Sequence, residues 1–501
     1  MAPTPSAELE DQILGKVATL FEETLSRPPP SSIVDLWKEH LEIRRILGEV
    51  SSLQAKLNNT DERLQNSKRE AEEIKQFLTW ADGVGIARNN VTIASTKSCG
   101  LSLQATGPIE NCHVVSRVPR HGMMTLDLAK KSAVLKKAFE RDPIVSGMDN
   151  VGLALFLAVN WLLNEKSKWK SYISVLPTYL PTPLFYTEEQ LIQLKPSPIF
   201  EEAIAFYRTI SRQFCYFLLA VAKNKIYEAA QRRKDARNTM ETPIFYNAPF
   251  TVANLTPKLY FWSVATVTTR VNMVPSENAR GEDGNPLLIP ALIPFLDMAN
   301  HENVKSAVPV DDLVCYSPTD ECAVITSHRD LEAGMEVTIF YGCRSKGEHL
   351  IHNGFVPIHH QRQDFLKLKI GIPKTDKTLE EKKKLIEKYV QNVYCTGNIF
   401  HVDIYNYPEQ PFPLDLLMFA AIFVSSEATD DAVQKPDVRK KGLEFLKTRF
   451  SLLKRSYEAS FDASKLKEVG IDGDAARLKA GESDILQMAL TYCEKLEKQT
   501  K

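Results

Sequence analysis

The chain has 501 residues, with 62 Lys+Arg against 63 Asp+Glu and a net charge of −1. Hydrophobic residues at 44% and charged residues at 25% are those of an ordinary globular protein, and about 100–200 residues per domain suggests two to four packed units. This excludes collagen, a disordered tail and a disulfide knot, and it lacks the basic field of a nucleic-acid binder, so the expected partner is a protein or a small molecule.

The N-terminal MAPTPSAELEDQIL is acidic and has no apolar core, which predicts no secretory leader. After Pro28-Pro29-Pro30, Ser31-Ser32 offers an N-cap, and Leu36, Leu41, Ile43, Ile46 and Leu47 form the stripe of an amphipathic helix. A second helix is predicted from about Asp61 to Trp80. Between about 90 and 130 the pattern changes to short alternating runs, with strands at Val91–Ser95 and His113–Val118.

Residues 128 to 265 read mostly as helix. The stretch Asn150–Leu163 is apolar nearly all round, which predicts burial, and Leu176–Phe185 is a Pro-punctuated loop. Strand signals return at Leu287–Leu296, Asp312–Tyr316, Cys322–Ser327 and Glu336–Tyr341, with a turn at Leu331–Glu336. Beyond 375 the chain reads as helical to its end. Val151–Leu163 and Leu414–Val424 are too short to span a bilayer, which takes about 20 residues, so no membrane association is expected. The eight cysteines contain no C-x-x-C pair, which predicts no structural zinc site. Reduced thiols are the simplest reading, which predicts a cytoplasmic protein with the nucleus as a second compartment.

No Walker loop, H-E-x-x-H or G-x-S-x-G motif is present. The informative segment is the apolar run from Leu287, which delivers Asp297, Met298, Ala299, Asn300 and His301 to its end. Alone, the Asp and Asn read as a turn. A second apolar strand, Val337-Thr-Ile-Phe-Tyr-Gly, places Tyr341 at its own end, and the two together are far less ordinary.

This pair resembles the SET methyltransferases: an N-H dipeptide, a short meander with an L-x-A-G-x-E turn, then an F-Y-G strand end. Residues 93–106 resemble the family's first cofactor loop, Thr268-Thr-Arg-Val-Asn its T-R-x-N element, and Arg344-Ser…His352-Asn-Gly-Phe355 the segment after the tyrosine. The tail resembles that of the Rubisco large-subunit methyltransferase branch. Within that branch, W-x-E-x-x-x-I-R at 37–44, R-Q-x-x-Y-F at 212–217 and L-L-K-x-x-Y at 452–457 resemble the actin-histidine methyltransferases. The likeness covers about residues 33 to 497.

The resemblance implies an α+β protein. A helical segment (1–89) would precede a SET catalytic domain (90–345) with a helical insertion at about 128–265, and an all-α substrate-binding domain (346–501) would follow. It implies S-adenosylmethionine as cofactor, no metal, a monomer, and a protein substrate, actin, methylated on the tele nitrogen of a histidine. Tyr341 would accept weak C–H···O contacts from the methyl group, and Asn272 would orient the acceptor imidazole. Arg69 and Arg270 would pair with the cofactor carboxylate. Aligning Arg69 needs a one-residue gap. Cys99, Gly100 and Leu101 would form the cofactor loop. Asp297, Met298, Ala299, Asn300 and His301 would hold the cofactor ends, and Asn353, Gly354 and Phe355 the adenine. Leu296, Arg212 and Arg344 would face the substrate.

Three departures stand out. Ser102 replaces the loop's second Gly, which predicts a differently shaped loop, and Gln104 replaces its basic residue. Leu296 stands where the histidine enzymes carry Trp, which enlarges the acceptor pocket toward lysine. A non-histone lysine methyltransferase is therefore the first rival, and a non-catalytic SET scaffold the second.

Overall fold

A computed structural model describes residues 4–65, 69–96, 100–232, 240–303, 313–358, 364–391, 394–396 and 398–499. They form two compact units, Met1–Leu180 with Ile204–Tyr341, and Pro181–Ala203 with Gly342–Lys501. The expected divisions at 89 and 345 differ from these units in two places. The N-terminal helices belong to the first unit, and residues 181–203 to the second.

The reason for the first difference is visible in its hydrogen bonds. The helix Ile33–Gln54 is capped by the Ser32 hydroxyl, as its sequence predicts. Its buried row is His40, Ile43, Leu47, Val50 and Gln54, so His40 takes a place expected for an aliphatic residue. The Gln54 amide donates to the carbonyls of Val252 (2.7 Å) and Leu255 (3.0 Å), and Arg208 donates to Glu39 at 2.6 Å. These buried polar ties lock the N-terminal helices onto the insertion, at the turn before Pro257 and at helix Ile199–Arg232.

The predicted helix Asp61–Trp80 is two helices, Thr60–Gln65 and Ala71–Gly83. The second starts with a capping box in which Glu70 and Glu73 satisfy each other's backbone amides. A charged helical pattern hid that start signal, and it leaves Arg69 just outside the helix. Asp149–Leu163 is a helix with every residue from Val151 to Trp161 buried. Each large apolar side chain sunk this way contributes about 1.5–3 kcal/mol. Asn160 is tolerated there because its amide donates to Phe156 O and accepts from Ser167 Oγ.

Three small sheets carry the rest of the first unit. One orders Ala87–Arg88, Val114–Pro119, Cys322–Thr326 and Val314–Ser317, all antiparallel. Asp312, at the edge of a predicted strand, lies outside the described residues. A second orders Met124–Thr125, Pro286–Leu292 and Asn272–Arg280. The third orders Val91–Thr96, Gly100–Ala105, Glu336–Ile339 and Asn300–His301. Its last pair is parallel, with Asn300 opposite Thr338 and His301 opposite Ile339. That register sets the N-H dipeptide beside the strand leading to Tyr341.

In the second unit the helices Asp415–Val424, Pro436–Glu458 and Ile471–Gln499 share one apolar core. A carbon added at Gly442 would stand 2.7 Å from Ala421 N, so glycine permits the close helix crossing. The all-α expectation is corrected here. Phe365–Gly371 and Ile399–Tyr405 form an antiparallel sheet with Tyr394–Thr396. Leu366, Leu368 and Ile370 face the core and alternate with Lys367 and Lys369, the period of a half-buried strand.

Candidate active site

The apolar strand Pro286–Leu292 runs into a tight turn at Leu296–Met298. Phe295 takes φ 72° there, a conformation that costs a non-glycine residue about 1–2 kcal/mol. Leu296, Met298 and Ala299 are buried, and Leu296 is fully enclosed. The turn redirects the chain so that Asn300 and His301 join the sheet beside Glu336–Ile339.

Their side chains are held by the protein itself. The Asn300 amide donates to Glu336 Oε1 at 2.7 Å. The backbone amide of Tyr341 donates to His301 Nδ1 at 3.2 Å, so the ring's proton sits on Nε2, which faces Asn303 Oδ1 at 3.1 Å. The Tyr341 hydroxyl donates to Ala299 O at 2.8 Å, and its ring centroid lies 5.3 Å from that of His301. Both ends of Tyr341 are thereby fixed by the residues of the dipeptide segment.

Asp297 lies deeper, at the centre of a charged cluster. Arg270, the last residue of helix Pro257–Arg270, donates to Asp297 O at 2.6 Å, and its guanidinium stands 3.8 Å from the Asp297 carboxylate. The Tyr172 hydroxyl hydrogen-bonds the other carboxylate oxygen. Burial pushes the Asp297 carboxyl up to about 6, against the opposing pull of Arg270, Tyr172 and Arg69. Arg69 donates to Val175 O at 2.8 Å, and burial followed by repulsion from Arg270 lowers it to about 10. Two guanidinium groups thus share one buried carboxylate and together carry an excess positive charge. Arg270 Nε has no partner in this arrangement.

Gly100 closes this cradle. It takes φ 75°, and a carbon added to it would meet an Arg69 nitrogen at 3.2 Å. Leu101 is buried in the same strand. Cys99 lies outside the described residues. Ser102 needs no unusual backbone, because it pairs regularly with Ala94 in an extended strand. Gln104 has an anchoring role instead of a charged one, donating to Gly334 O of the L-x-A-G-x-E turn at 2.8 Å. A paired-arginine cradle with an unpartnered donor and a bare glycine backbone fits the amino-acid carboxylate of S-adenosylmethionine.

Asn272 starts the strand after Arg270, half-buried, with its amide donating to Arg270 O at 3.2 Å. Arg212 is exposed on helix Ile199–Arg232. Within the second unit, Arg344 donates to Asn353 Oδ1 at 2.6 Å, and His349 Nδ1 meets the same oxygen at 3.2 Å. The Phe355 ring packs on His349. Gly354 ends helix Lys346–Asn353 at φ 82°, with no room for a side chain against Pro181 and Thr182. Tyr172 and the Val175 carbonyl were missed by sequence reading, because nothing local in Lys170-Ser-Tyr-Ile-Ser-Val marks a partner of Asp297.

No family model matches the chain. Among solved structures, Rubisco LSMT bound to sinefungin and monomethyllysine superposes with a TM-score of 0.62 at 17% identity, covering 86% of this chain and 94% of that one. The SET domain of LSMT bound to lysine and AdoHcy gives 0.60 at 18%, covering 86% and 93%. The chain has the fold of these SET-domain structures. In sequence it is similar to the actin-histidine N-methyltransferases of Papio anubis and Homo sapiens, each 28% identical over 505 residues, covering 96% of this chain and 77% of the relative.

Proposed function

We propose that this chain is an S-adenosylmethionine-dependent protein-histidine N-methyltransferase whose substrate is actin, modified at the tele nitrogen. The observation that carries the reading is the pairing of a fixed tyrosine with a carboxylate-binding cradle on one segment: Tyr341 bonded to Ala299, and Arg270 bonded to Asp297. The similarity to enzymes of that name over 96% of the chain supports the substrate.

When bound, the cofactor supplies a methyl group on a sulfonium that is already an activated leaving group. Arg270 and Arg69 hold its carboxylate, with Gly100 giving the backbone room. Tyr341 presents its oxygen, and the Ala299 carbonyl beside it, to the polarised methyl group. Neither group has to remove a proton before transfer. A substrate histidine with an ordinary pKa of about 6.5 is largely neutral at pH 7 and has a free lone pair, whereas a lysine at about 10.4 first loses a proton. Asn272 is the residue assigned to orient that imidazole. Arg212, Arg344 and Leu296 are assigned to the substrate side, and Asn353, Gly354 and Phe355 to the adenine. A monomer in the cytoplasm, with the nucleus as second compartment, completes the proposal.

Leu296 favours one rival, transfer to lysine. Incubating the chain with purified actin and isotope-labelled S-adenosylmethionine, followed by mass spectrometry of the modified peptide, decides between them. Label on histidine supports the proposal, and label on lysine alone replaces it. Calorimetry showing no cofactor binding would leave a scaffold.

A further inference from the structure

The short helix Lys170–Val175 bonds Arg69 directly and reaches Arg270 through the Asp297 carboxylate, and nothing in the proposed chemistry assigns it a part. Its last carbonyl, Val175 O, accepts from Arg69 Nε at 2.8 Å. One turn earlier, Tyr172 is completely buried and hydrogen-bonds the Asp297 carboxylate, which faces Arg270. Both ends of this helix therefore act on the groups that would hold the cofactor carboxylate.

We propose that Tyr172 is a positioning residue for cofactor binding: by holding the Asp297 carboxylate between Arg270 and Arg69, it keeps two mutually repelling guanidinium groups aimed into one cradle. This inference rests on the S-adenosylmethionine reading above.

The physical argument is one of competing charges. Two buried guanidinium groups repel, and a carboxylate between them offsets that repulsion. Asp297 is itself penalised by burial, and the charged and titratable groups facing it are Arg270 from helix Pro257–Arg270, Arg69 from the segment before Ala71–Gly83, and Tyr172 from its own helix. A phenol donating to the ionised carboxylate favours the charged form. Phenylalanine fills the same space without that donor. The ring also packs against Phe77, with centroids 6.1 Å apart, so its apolar contacts survive the change.

The test measures S-adenosylmethionine binding by calorimetry between pH 5 and 8 for the full chain, Tyr172→Phe and Asp297→Asn. The original chain is expected to bind, more weakly as pH falls through about 6. Tyr172→Phe should bind about 5- to 10-fold more weakly at pH 7, the size of one ordinary lost hydrogen bond, with its acid limb moved to higher pH. Asp297→Asn should bind weakly with no acid limb. A merely structural tyrosine would lower the melting temperature without moving that limb. Unchanged affinity and an unmoved limb in Tyr172→Phe would overturn the inference. If that variant fails to fold, an acid limb that persists in Asp297→Asn overturns it instead. An original chain that binds no cofactor at any pH overturns the underlying reading, which is a separate outcome.

Discussion

Among the carboxyl groups buried in the two units, Asp297 of the first and Glu482 of the second are kept in opposite states. Asp297 lies against Arg270 and Arg69, and burial raises it only to about 6. Glu482 lies against the hydroxyls of Ser197 (2.9 Å) and Tyr457, with Asp364 and Glu202 nearby, and burial pushes it up to about 8. At neutral pH the first is mostly ionised and the second mostly neutral. The difference lies in the partners: guanidinium groups sustain a buried charge, whereas hydroxyls and other acids leave protonation as the lower-energy answer. A buried acid beside spare cationic donors marks a place built for a further anion. A buried acid that is simply neutral is part of the packing.

Four changes break or sharpen this contrast. The largest effect belongs to Tyr341→Phe beside the Asp297 cluster. Losing the hydroxyl that fixes the tyrosine to Ala299 should slow methyl transfer about 100-fold while cofactor affinity changes about twofold, as single-turnover kinetics with calorimetry will show. Next, Gly442→Ala forces a carbon to 2.7 Å from Ala421 N and should cost the second unit about 2 kcal/mol in denaturant melts, with cofactor affinity unchanged. Arg270→Lys keeps the charge but loses the fork, so S-adenosylmethionine should bind about 10-fold more weakly in calorimetry.

The smallest effect is at Glu482→Gln. Because the acid is mostly protonated when folded, the amide should cost less than about 1 kcal/mol at pH 7. The sign of the pH effect follows from the raised value. The folded chain holds a proton that the unfolded chain, at an ordinary 4.5, has released. The contribution is fully present below 4.5 and is lost as pH rises toward 8. The original chain should therefore lose more melting temperature between pH 5 and 8 than Glu482→Gln does.

The positions that sequence reading located are those where one local pattern dominates. The buried helix at 149–163, the Ser32 cap and the strands bearing Asn300 and Tyr341 belong here, because apolar periodicity and end signals act over a few residues. The break before Ala71 was hidden because its Glu70 and Glu73 box sits inside a run that is charged anyway. The sheet at 365–371 carried a legible period-2 signal in Phe-Leu-Lys-Leu-Lys-Ile, but the reading of a helical tail displaced it. The site divides the same way. Arg270, Asp297 and Tyr341 were named from motifs, while Tyr172 reaches Asp297 across 125 residues of chain, a separation no local pattern reports.

That overlooked strand has one more consequence. Phe365–Gly371 is an outer strand of its sheet among the described residues, a kind of boundary onto which foreign chains readily add. Its outward positions carry Lys367 and Lys369, each paired with an acid, Glu202 and Glu201. An intruding strand would have to strip water from both ammonium groups and separate both pairs, so the alternation that packs the core inward also guards this border against aggregation.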